Sequence, residues 1–478
     1  MITNLSEYKE FICNKKIAVI GLGISNQALI RFLNDCGAYN ISIFDKTTAQ
    51  GFIDSCEKLV SAGSVRDYYY GEGYLNHMVE GGYDIIFRSP IVRFDTPEIA
   101  QCVAKGAILT SEVETVLQLA PCKTYGVTGS DGKTTTTTLI SKFLAAHYED
   151  TDTRIWLGGN IGIPLIDVLP QIKPQDRIVL ELSSFQLMDM KISTDVAVIT
   201  NLSPNHLDVH KSYNEYAFAK KSIFAFQNKE GRIIMNATDE MSVRLLGDRR
   251  ENVSYFSAKT DIVPDFSAGN ALLTENGTVL CYKDDKKSLK MERAHIRIPG
   301  FFNVENFLAA MCAVKDEADI DDIIKATDAF RGVEHRLEFV RKVSGVSFYN
   351  SSIDSSPKRT ISTLSVFNQK IIMIAGGKDK GISYDEIGPA ICEKVKVLVL
   401  VGPTSKAIED AILLANPGHN ITIIKKDNYP DAVACAYEAA GEGDIVLLSP
   451  ASTSFDLFRN FEERGRKYKE IVNLLSQK

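Results

Sequence analysis

The chain has no apolar run approaching the ~20 residues of a membrane-spanning helix, and its opening stretch, MITNLSEYKE, is polar, without the core of a signal peptide. Neither a membrane partner nor export is expected, which places the protein in the cytoplasm where it is made. None of the nine cysteines forms a C-x-x-C pair, so structural zinc and a disulfide framework have little support and a reducing compartment fits. Positive charge is not in excess: 54 Lys and Arg against 61 Asp and Glu leave a net charge of −7. Nucleic acid is therefore not an expected partner, and an anionic ligand must be held by a local cluster of donors instead of a global field. Internal repeats and low-complexity segments are absent as well.

What is present is length and alternation. The 478 residues suffice for about three domains of ordinary size, and strand-like runs alternate with helix-like ones throughout, the pattern of parallel sheets covered by helices. Three blocks can be separated. The first opens with KKIAVIGLGISNQALIRFL, a strand, a Gly21-Leu22-Gly23 turn and a helix, followed by the strand ISIFD ending in Asp45. It is close to a dinucleotide fingerprint, but Asn26 stands at the third glycine; the glycines could equally close a strand-to-helix turn without any ligand. The second block begins near Ser111. The third opens after FRGVEHRLEF and carries the strands SFYN, KIIMIAGG, VKVLVLVG and DIVLLSP.

The sharpest signal is GVTGSDGKTTTTTLI, residues 126–140. It misses the ordinary phosphate loop by one position, because Val127 stands where the first glycine belongs, and leaves Thr128-Gly129-x-x-Gly132-Lys133-Thr134. Gly129, Ser130, Asp131 and Gly132 would turn their backbone N–H groups toward one anion. The following helix adds the positive end of its dipole and Lys133 a full charge. The Thr134 hydroxyl is placed for a magnesium ion on the same phosphates, with Thr135 beside it in the first turn. Glu181 ends the strand IVLEL and His206 follows the strand ending at Thr200, so both are expected at the carboxyl edge of the same sheet, where open α/β folds bind ligands. The spacing His206-x-Asp208-x-His210 could also suit zinc, but three such residues in a polar loop fit a solvated turn better.

Together the loop, Gly159-Asn160-Ile161-Gly162, Glu181-Leu-Ser-Ser-Phe-Gln, Asn205-His206-Leu-Asp208, Gly300-x-x-Asn303-x-x-Asn306 and His335-Arg336 resemble the Mur ligases, ATP-dependent amide-forming enzymes of bacterial cell-wall synthesis. The N-terminal GLGISNQAL, the later GGKDKG and the closing SPASTSFDLFRNFEERG are similar to the branch that adds D-glutamate to UDP-N-acetylmuramoyl-L-alanine. The Asp-Asn-Pro-Arg signature of the diaminopimelate-adding branch is absent. The resemblance implies an α/β fold of three domains: a Rossmann-like UDP-substrate domain at 1–110, a central P-loop-type ATPase domain at 111–331 and a Rossmann-like amino-acid domain at 332–478. It also implies ATP and Mg²⁺, small-molecule substrates and a monomer.

Residue by residue, the resemblance implies ATP contacts from Gly129 to Thr135 and from Asn303, Asn306 and Arg336. Magnesium would be held by Thr134, Glu181, His206 and a carbamylated lysine, so that Lys133, Glu181, His206 and Lys220 form the catalytic set. Helical spacing in NEYAFAKKSIFAF does not choose between Lys220 and Lys221, since both have apolar neighbours three and four residues away; alignment to the family's Tyr-x-x-x-Lys pattern selects Lys220. Ser25, Asp45, Lys46 and Asn160 would meet the UDP-linked substrate, and Lys380, Ser355, Ser454 and the backbone at Phe461 the two carboxylates of D-glutamate. ATP between the second and third domains implies closure that keeps water from an acyl phosphate. Departures from the family pattern are Ile91 in Ser89-Pro90-Ile91, Phe302 at the usual histidine, and Asn350-Ser351-Ser352-Ile353, which lacks an expected carboxylate and lysine. The competing readings are addition of another amino acid, a non-catalytic nucleotide-sugar-binding relative, and a nicotinamide enzyme built on GLGISN.

Overall fold

A computed structural model describes residues 4–204, 209–259, 267–274, 277–379 and 381–477. Its β-branched and leucine-rich runs become strands of three sheets with helices between them, an α/β architecture. In the first sheet five parallel strands run in the order Asp67–Tyr70, Ile41–Asp45, Ile17–Ile20, Ile85–Arg88, Ile108–Thr110. The strand Ile17–Ile20 is buried along its whole length, as expected of the centre of a parallel sheet. Strand order reverses beside it, which makes its carboxyl end, at Gly21, the switch point where such sheets receive ligands.

The second sheet lays parallel strands side by side as Ile155–Gly159, Arg177–Glu181, Lys123–Thr128, Val196–Ile199, Arg232–Asn236, Val253–Ser257 and Asn270–Thr274. Two antiparallel strands, Val279–Lys283 and Ser288–Glu292, extend it. The register pairs Val127 with Glu181, Gly159 with Glu181 and Thr128 with Ile199, so these three neighbours of Lys123–Thr128 and Arg177–Glu181 end level with one another. The third sheet has the order Glu338–Val343, Val346–Asn350, Ile445–Leu448, Ile371–Ala375, Val395–Val401, Thr422–Lys426, parallel apart from the first strand.

The chain forms two compact units, Met1–Arg293 with Glu305–Ala326, and Ala294–Val304 with Thr327–Lys478. The first two sheets lie together in the first unit, joined by ion pairs such as Arg31–Asp167 and Arg88–Asp189.

At the amino edge of the second sheet a single carboxylate ties four elements. Glu317, after the helix Phe301–Val314, accepts hydrogen bonds from the Tyr125 hydroxyl at 2.5 Å, the Tyr148 hydroxyl at 2.7 Å, Lys123 at 2.9 Å and the Arg177 Nε at 2.7 Å. Burial alone would push its carboxyl up, but these donors and the Lys123 charge outweigh it and hold it at about 2 against an ordinary 4.5. A carboxyl depressed in the folded state stabilises the fold above its unfolded value and loses that contribution as pH falls from about 4.5 to about 2. Glu317→Gln should therefore destabilise the protein by roughly 3 kcal/mol at pH 7, since it strips the charge from a buried ion-pair cluster. Denaturant midpoints should show the gap between variant and parent narrowing on acidification through that window; a constant gap down to pH 3 would exclude this role for Glu317.

Candidate functional site

The loop between the strand Lys123–Thr128 and the helix Lys133–His147 turns on two glycines at which any Cβ would crowd neighbouring side chains. Gly129 has φ 151°, and a Cβ there would lie 1.9 Å from the Thr200 hydroxyl; Gly132 has φ 79°, and a Cβ would lie 2.3 Å from the Asn306 amide oxygen. The loop is stitched to the end of the neighbouring strand. Ser130 N donates to the Asn201 carbonyl at 2.8 Å and Asp131 N to the Asn201 side chain at 3.0 Å, so these two N–H groups, expected to face an anion, are taken up by the neighbouring strand end; the Thr200 hydroxyl and Asn201 amide both donate to the Asp131 carbonyl. Ser130, buried, shares hydrogen bonds with Ser203 and the Tyr216 hydroxyl.

The helix Lys133–His147 starts without a side-chain cap on its first N–H groups, which leaves the positive end of its dipole directed at the loop. Lys133 reaches back to the carbonyls of Gly129 and Ser130 at 3.0 and 2.9 Å. Thr135, Thr136 and Thr137 are buried and the hydroxyls of Thr137 and Thr138 bond back to the preceding turn, so the threonine run serves the helix, with Thr134 half-exposed at its start. Asn306, on Phe301–Val314, accepts from Thr136 at 3.2 Å and so touches the loop helix; Asn303, one turn earlier, is buried and donates to the Pro299 carbonyl.

Glu181 and Lys220 meet at the same strand ends. Glu181 is buried; one carboxylate oxygen accepts from Asn160 at 2.9 Å and the other, Oε2, is buried with no hydrogen-bond partner among the described residues. The Gly159 turn, φ 87°, brings the chain so close to the Glu181 carbonyl that a Cβ would be 2.2 Å from it. Lys220 caps the helix Tyr213–Ala219 and is fully buried, its amine donating to the Gly129 carbonyl at 2.9 Å and the Thr128 hydroxyl at 3.3 Å, above the Tyr216 ring at 4.6 Å. Burial and the nearby Lys133 charge push its amine well below the usual lysine range, against the pull of Glu181 and Asp131. Lys221, which helical spacing could not separate from it, is only half-buried.

His206, with Asn205 and Asp208, lies outside the described residues, as does Lys380. His210 corrects one expectation: it is buried, bonded to the Ser184 hydroxyl at 3.0 Å and stacked on Phe185, and does not sit in a solvated turn. Among the described residues no group of three His, Cys, Asp or Glu is placed for a metal. The Glu181 oxygen left without a partner among the described residues, at a strand end level with that from which the loop at Gly129 departs, nevertheless fits a hard cation such as magnesium.

In the first sheet Gly21, φ 84°, donates to Phe44 O, and Asp45 at the adjoining strand end accepts from Leu22 N at 3.1 Å and Thr47 N at 3.0 Å. Ser25 lies half-buried in the first turn of the helix Ile24–Asp35 and Lys46 is exposed. Asn26, at the third glycine of the fingerprint, donates to the carbonyls of Ile20 and Gly21 and locks the turn. Ile91 departs from the family pattern at no backbone cost: it has no positive φ and is 86% exposed.

In the second unit Arg336 is exposed between two left-handed residues, His335 (φ 64°) and Leu337 (φ 47°). That strained turn is held by the departing segment itself: Asn350 donates to the His335 ring, Ser351 Oγ accepts from Leu337 N, and Ile353 N donates to the His335 carbonyl. The fully buried Arg464 binds Ser352 and the Ser452 carbonyl, and the Ser352 hydroxyl donates to the Phe461 carbonyl. Ser454 is buried with its carbonyl starting the turn to Phe458, and Ser355 is half-buried. Sequence reading missed Asn201, Arg88 and Arg464; only the position of Asn201 just after a strand end offered a signal.

A model described as the Mur ligase middle domain matches residues 127–314 and one described as the Mur ligase, glutamate ligase domain matches 335–452. The UDP-N-acetylmuramoylalanine--D-glutamate ligase of Acetivibrio thermocellus is 48% identical over 478 residues, 99% of each chain. The protein of the same name from Ruminiclostridium cellulolyticum is 45% identical over 479 residues, 99% of this chain and 100% of the relative. Solved structures of other ligases share the fold. The UDP-N-acetylmuramate-alanine ligase MurC of Thermotoga maritima has a TM-score of 0.53 at 19% identity, over 96% of this chain and 99% of its own. MurF of Acinetobacter baumannii has 0.55 at 16%, over 81% and 90%.

Gly129→Ala should fold yet weaken nucleotide binding by about tenfold or more, because a displaced loop forfeits at least one charged hydrogen bond to phosphate. Titration with a non-hydrolysable nucleoside triphosphate reads this out; unchanged affinity would remove the loop from phosphate binding.

Proposed function

The chain belongs to the UDP-N-acetylmuramoylalanine--D-glutamate ligase family of Mur ligases, and on that premise we propose that it joins the amino group of D-glutamate to the alanyl carboxylate of UDP-N-acetylmuramoyl-L-alanine, with cleavage of ATP, in peptidoglycan precursor synthesis. A carboxylate is a poor electrophile and amide formation in water is uphill, so the carboxylate must first be converted to an acyl phosphate. The amine then attacks the acyl carbon, and inorganic phosphate leaves from the tetrahedral intermediate. Residues 1–110 hold the UDP-linked substrate in this reading, 111–331 the nucleotide, and 332–478 D-glutamate.

The observation that carries the reading is similarity along the whole chain, and the strand-end cluster supports it chemically. The Gly129–Gly132 turn and the uncapped helix start from Lys133 to Thr135 would cradle the phosphates, with the Ser130 and Asp131 N–H groups engaged by Asn201, and Lys133 would neutralise charge on the transferring phosphoryl group. Glu181, His206, Thr134 and Lys220 as its carbamate are the residues that would hold magnesium. Magnesium, when bound, screens the repulsion between the two anions brought together. Carbamylation needs an amine kept from water: the Lys220 nitrogen attacks carbon dioxide and loses a proton, which turns a cation unsuited to magnesium into an anionic oxygen donor. The burial of Lys220 beside the loop supports its choice over Lys221. Asn303, Asn306 and Arg336 serve the nucleotide, and Ser25, Asp45, Lys46 and Asn160 the UDP-linked substrate. Lys380, Ser355, Ser454 and Phe461 serve D-glutamate.

With UDP-N-acetylmuramoyl-L-alanine and ATP, the purified protein should release phosphate with D-glutamate and far more slowly with L-lysine or diaminopimelate. A preference for another amino acid would overturn the substrate assignment. Lys220→Ala should be nearly inactive and partly rescued by short-chain carboxylates that replace the carbamate oxygens, whereas Lys221→Ala should retain activity. The reverse result would move the modified lysine to position 221.

A further inference from the structure

Between the strand end Arg88 and Asp95 runs the loop Ser89-Pro90-Ile91-Val92, with an arginine just before it and another just after. Arg88 is 1% exposed, and its guanidinium spends every donor. Nη1 donates to the carbonyls of Ser89, Pro90 and Val92 at 3.2, 3.2 and 2.7 Å; Nη2 donates to the Phe185 carbonyl at 3.0 Å and to Asp189; Nε donates to the other Asp189 oxygen at 3.1 Å. One side chain thus ties three carbonyls of a first-sheet loop to the short helix Ser184–Leu187 and the turn after it, which directly follow the strand that presents Glu181. Arg93 does the same at the other end. It donates to both oxygens of Glu215 at 2.8 and 3.1 Å, to the Val209 carbonyl at 2.8 Å and to Asp95. Glu215 stands in the first turn of the helix that Lys220 closes.

The loop also touches the first-sheet ligand turn. Ser89 N donates to the Ile20 carbonyl at 3.0 Å, and a Cβ on Gly21 would lie 3.0 Å from that of Ser89. One four-residue loop is therefore fastened to the Gly21 turn on one side and, through two arginines, to the elements bearing Glu181 and Lys220 on the other. We infer that Arg88 and Arg93 are positioning residues that set the span between the nucleotide-sugar site of the first sheet and the reacting centre of the second. This inference rests on the ligase reading above. A substrate held at its UDP end must deliver its carboxylate to the phosphoryl group at the other end, and an error in that span acts on near-attack geometry. The planar guanidinium fork makes these contacts in fixed directions, which a lysine ammonium cannot reproduce.

Steady-state kinetics of Arg88→Lys and Arg93→Lys in the full-length protein test the inference. Arg31→Lys is the control, since the Arg31–Asp167 pair joins the same two sheets at an exposed place away from the loop. Both loop variants should raise KM for the UDP-linked substrate by about tenfold or more and lower kcat, with KM for ATP within about twofold of the parent; the thermal midpoint should fall for Arg88→Lys, whose buried carbonyls lose donors, and change little for Arg93→Lys. The control should behave as the parent. Unchanged KM for the UDP-linked substrate in a folded variant, or equal rises for all three substrates, would overturn the positioning role. Should Arg88→Lys fail to fold because its site is buried, Arg93→Lys, at a partly exposed position, decides by the same readout. A parent protein inactive with UDP-N-acetylmuramoyl-L-alanine, ATP and every amino acid would instead overturn the ligase reading, and the inference with it.

Discussion

Parallel pairing of the strand Lys123–Thr128 with Arg177–Glu181 on one side and Val196–Ile199 on the other places the site. Because Val127 faces Glu181 and Thr128 faces Ile199, three chain reversals fall at one level: the loop Gly129–Gly132, the turn after Glu181 and the turn at Thr200-Asn201. A slip of one residue would turn Glu181 to the opposite face of the sheet and separate Thr200 and Asn201 from the loop they hold. The hydrogen bonds from Thr200 and Asn201 to the Asp131 carbonyl, and from Ser130 to Asn201, exist only in this register.

Around that edge the protein buries charge where a purely stability-driven design would place apolar side chains. Lys220 lies among carbonyl and hydroxyl oxygens with its amine driven toward the neutral form, and Glu181 leaves one buried oxygen without a partner among the described residues. Arg88, by contrast, is buried with all its donors engaged. Satisfied charges of this kind organise backbone, whereas a buried oxygen without a partner among the described residues is a costly arrangement and a candidate ligand position.

Much of this was legible beforehand. The alternation of apolar runs implied parallel α/β sheets, and the spacing of Gly129 and Gly132 implied a tight strand-to-helix turn, because both follow from local backbone geometry that residue types determine directly. The choice between Lys220 and Lys221 was not legible from periodicity: the helix Tyr213–Ala219 ends at this point, and the turn that follows decides which lysine is turned inward. His210 misled in the same way, because its ring is buried against Phe185 and Ser184, which come from another part of the chain. The segment Asn350–Ile353 looked like a loss of ligand groups. The Asn350 and Ser351 side chains hold the left-handed turn that carries Arg336, a role with no local signature.

By itself the sequence determined the class of fold, the strand-to-helix turns that depend on glycine, and the family, since these rest on short-range conformational preference and on motifs shared along the whole chain. Only the tertiary structure decided which side chains converge. Asn201 lies 70 residues from Asp131, Asp189 lies 101 from Arg88 and Glu215 lies 122 from Arg93. Contacts over such separations are set by strand order, register and the packing of one sheet's loops on the next, and no local pattern of residues encodes them.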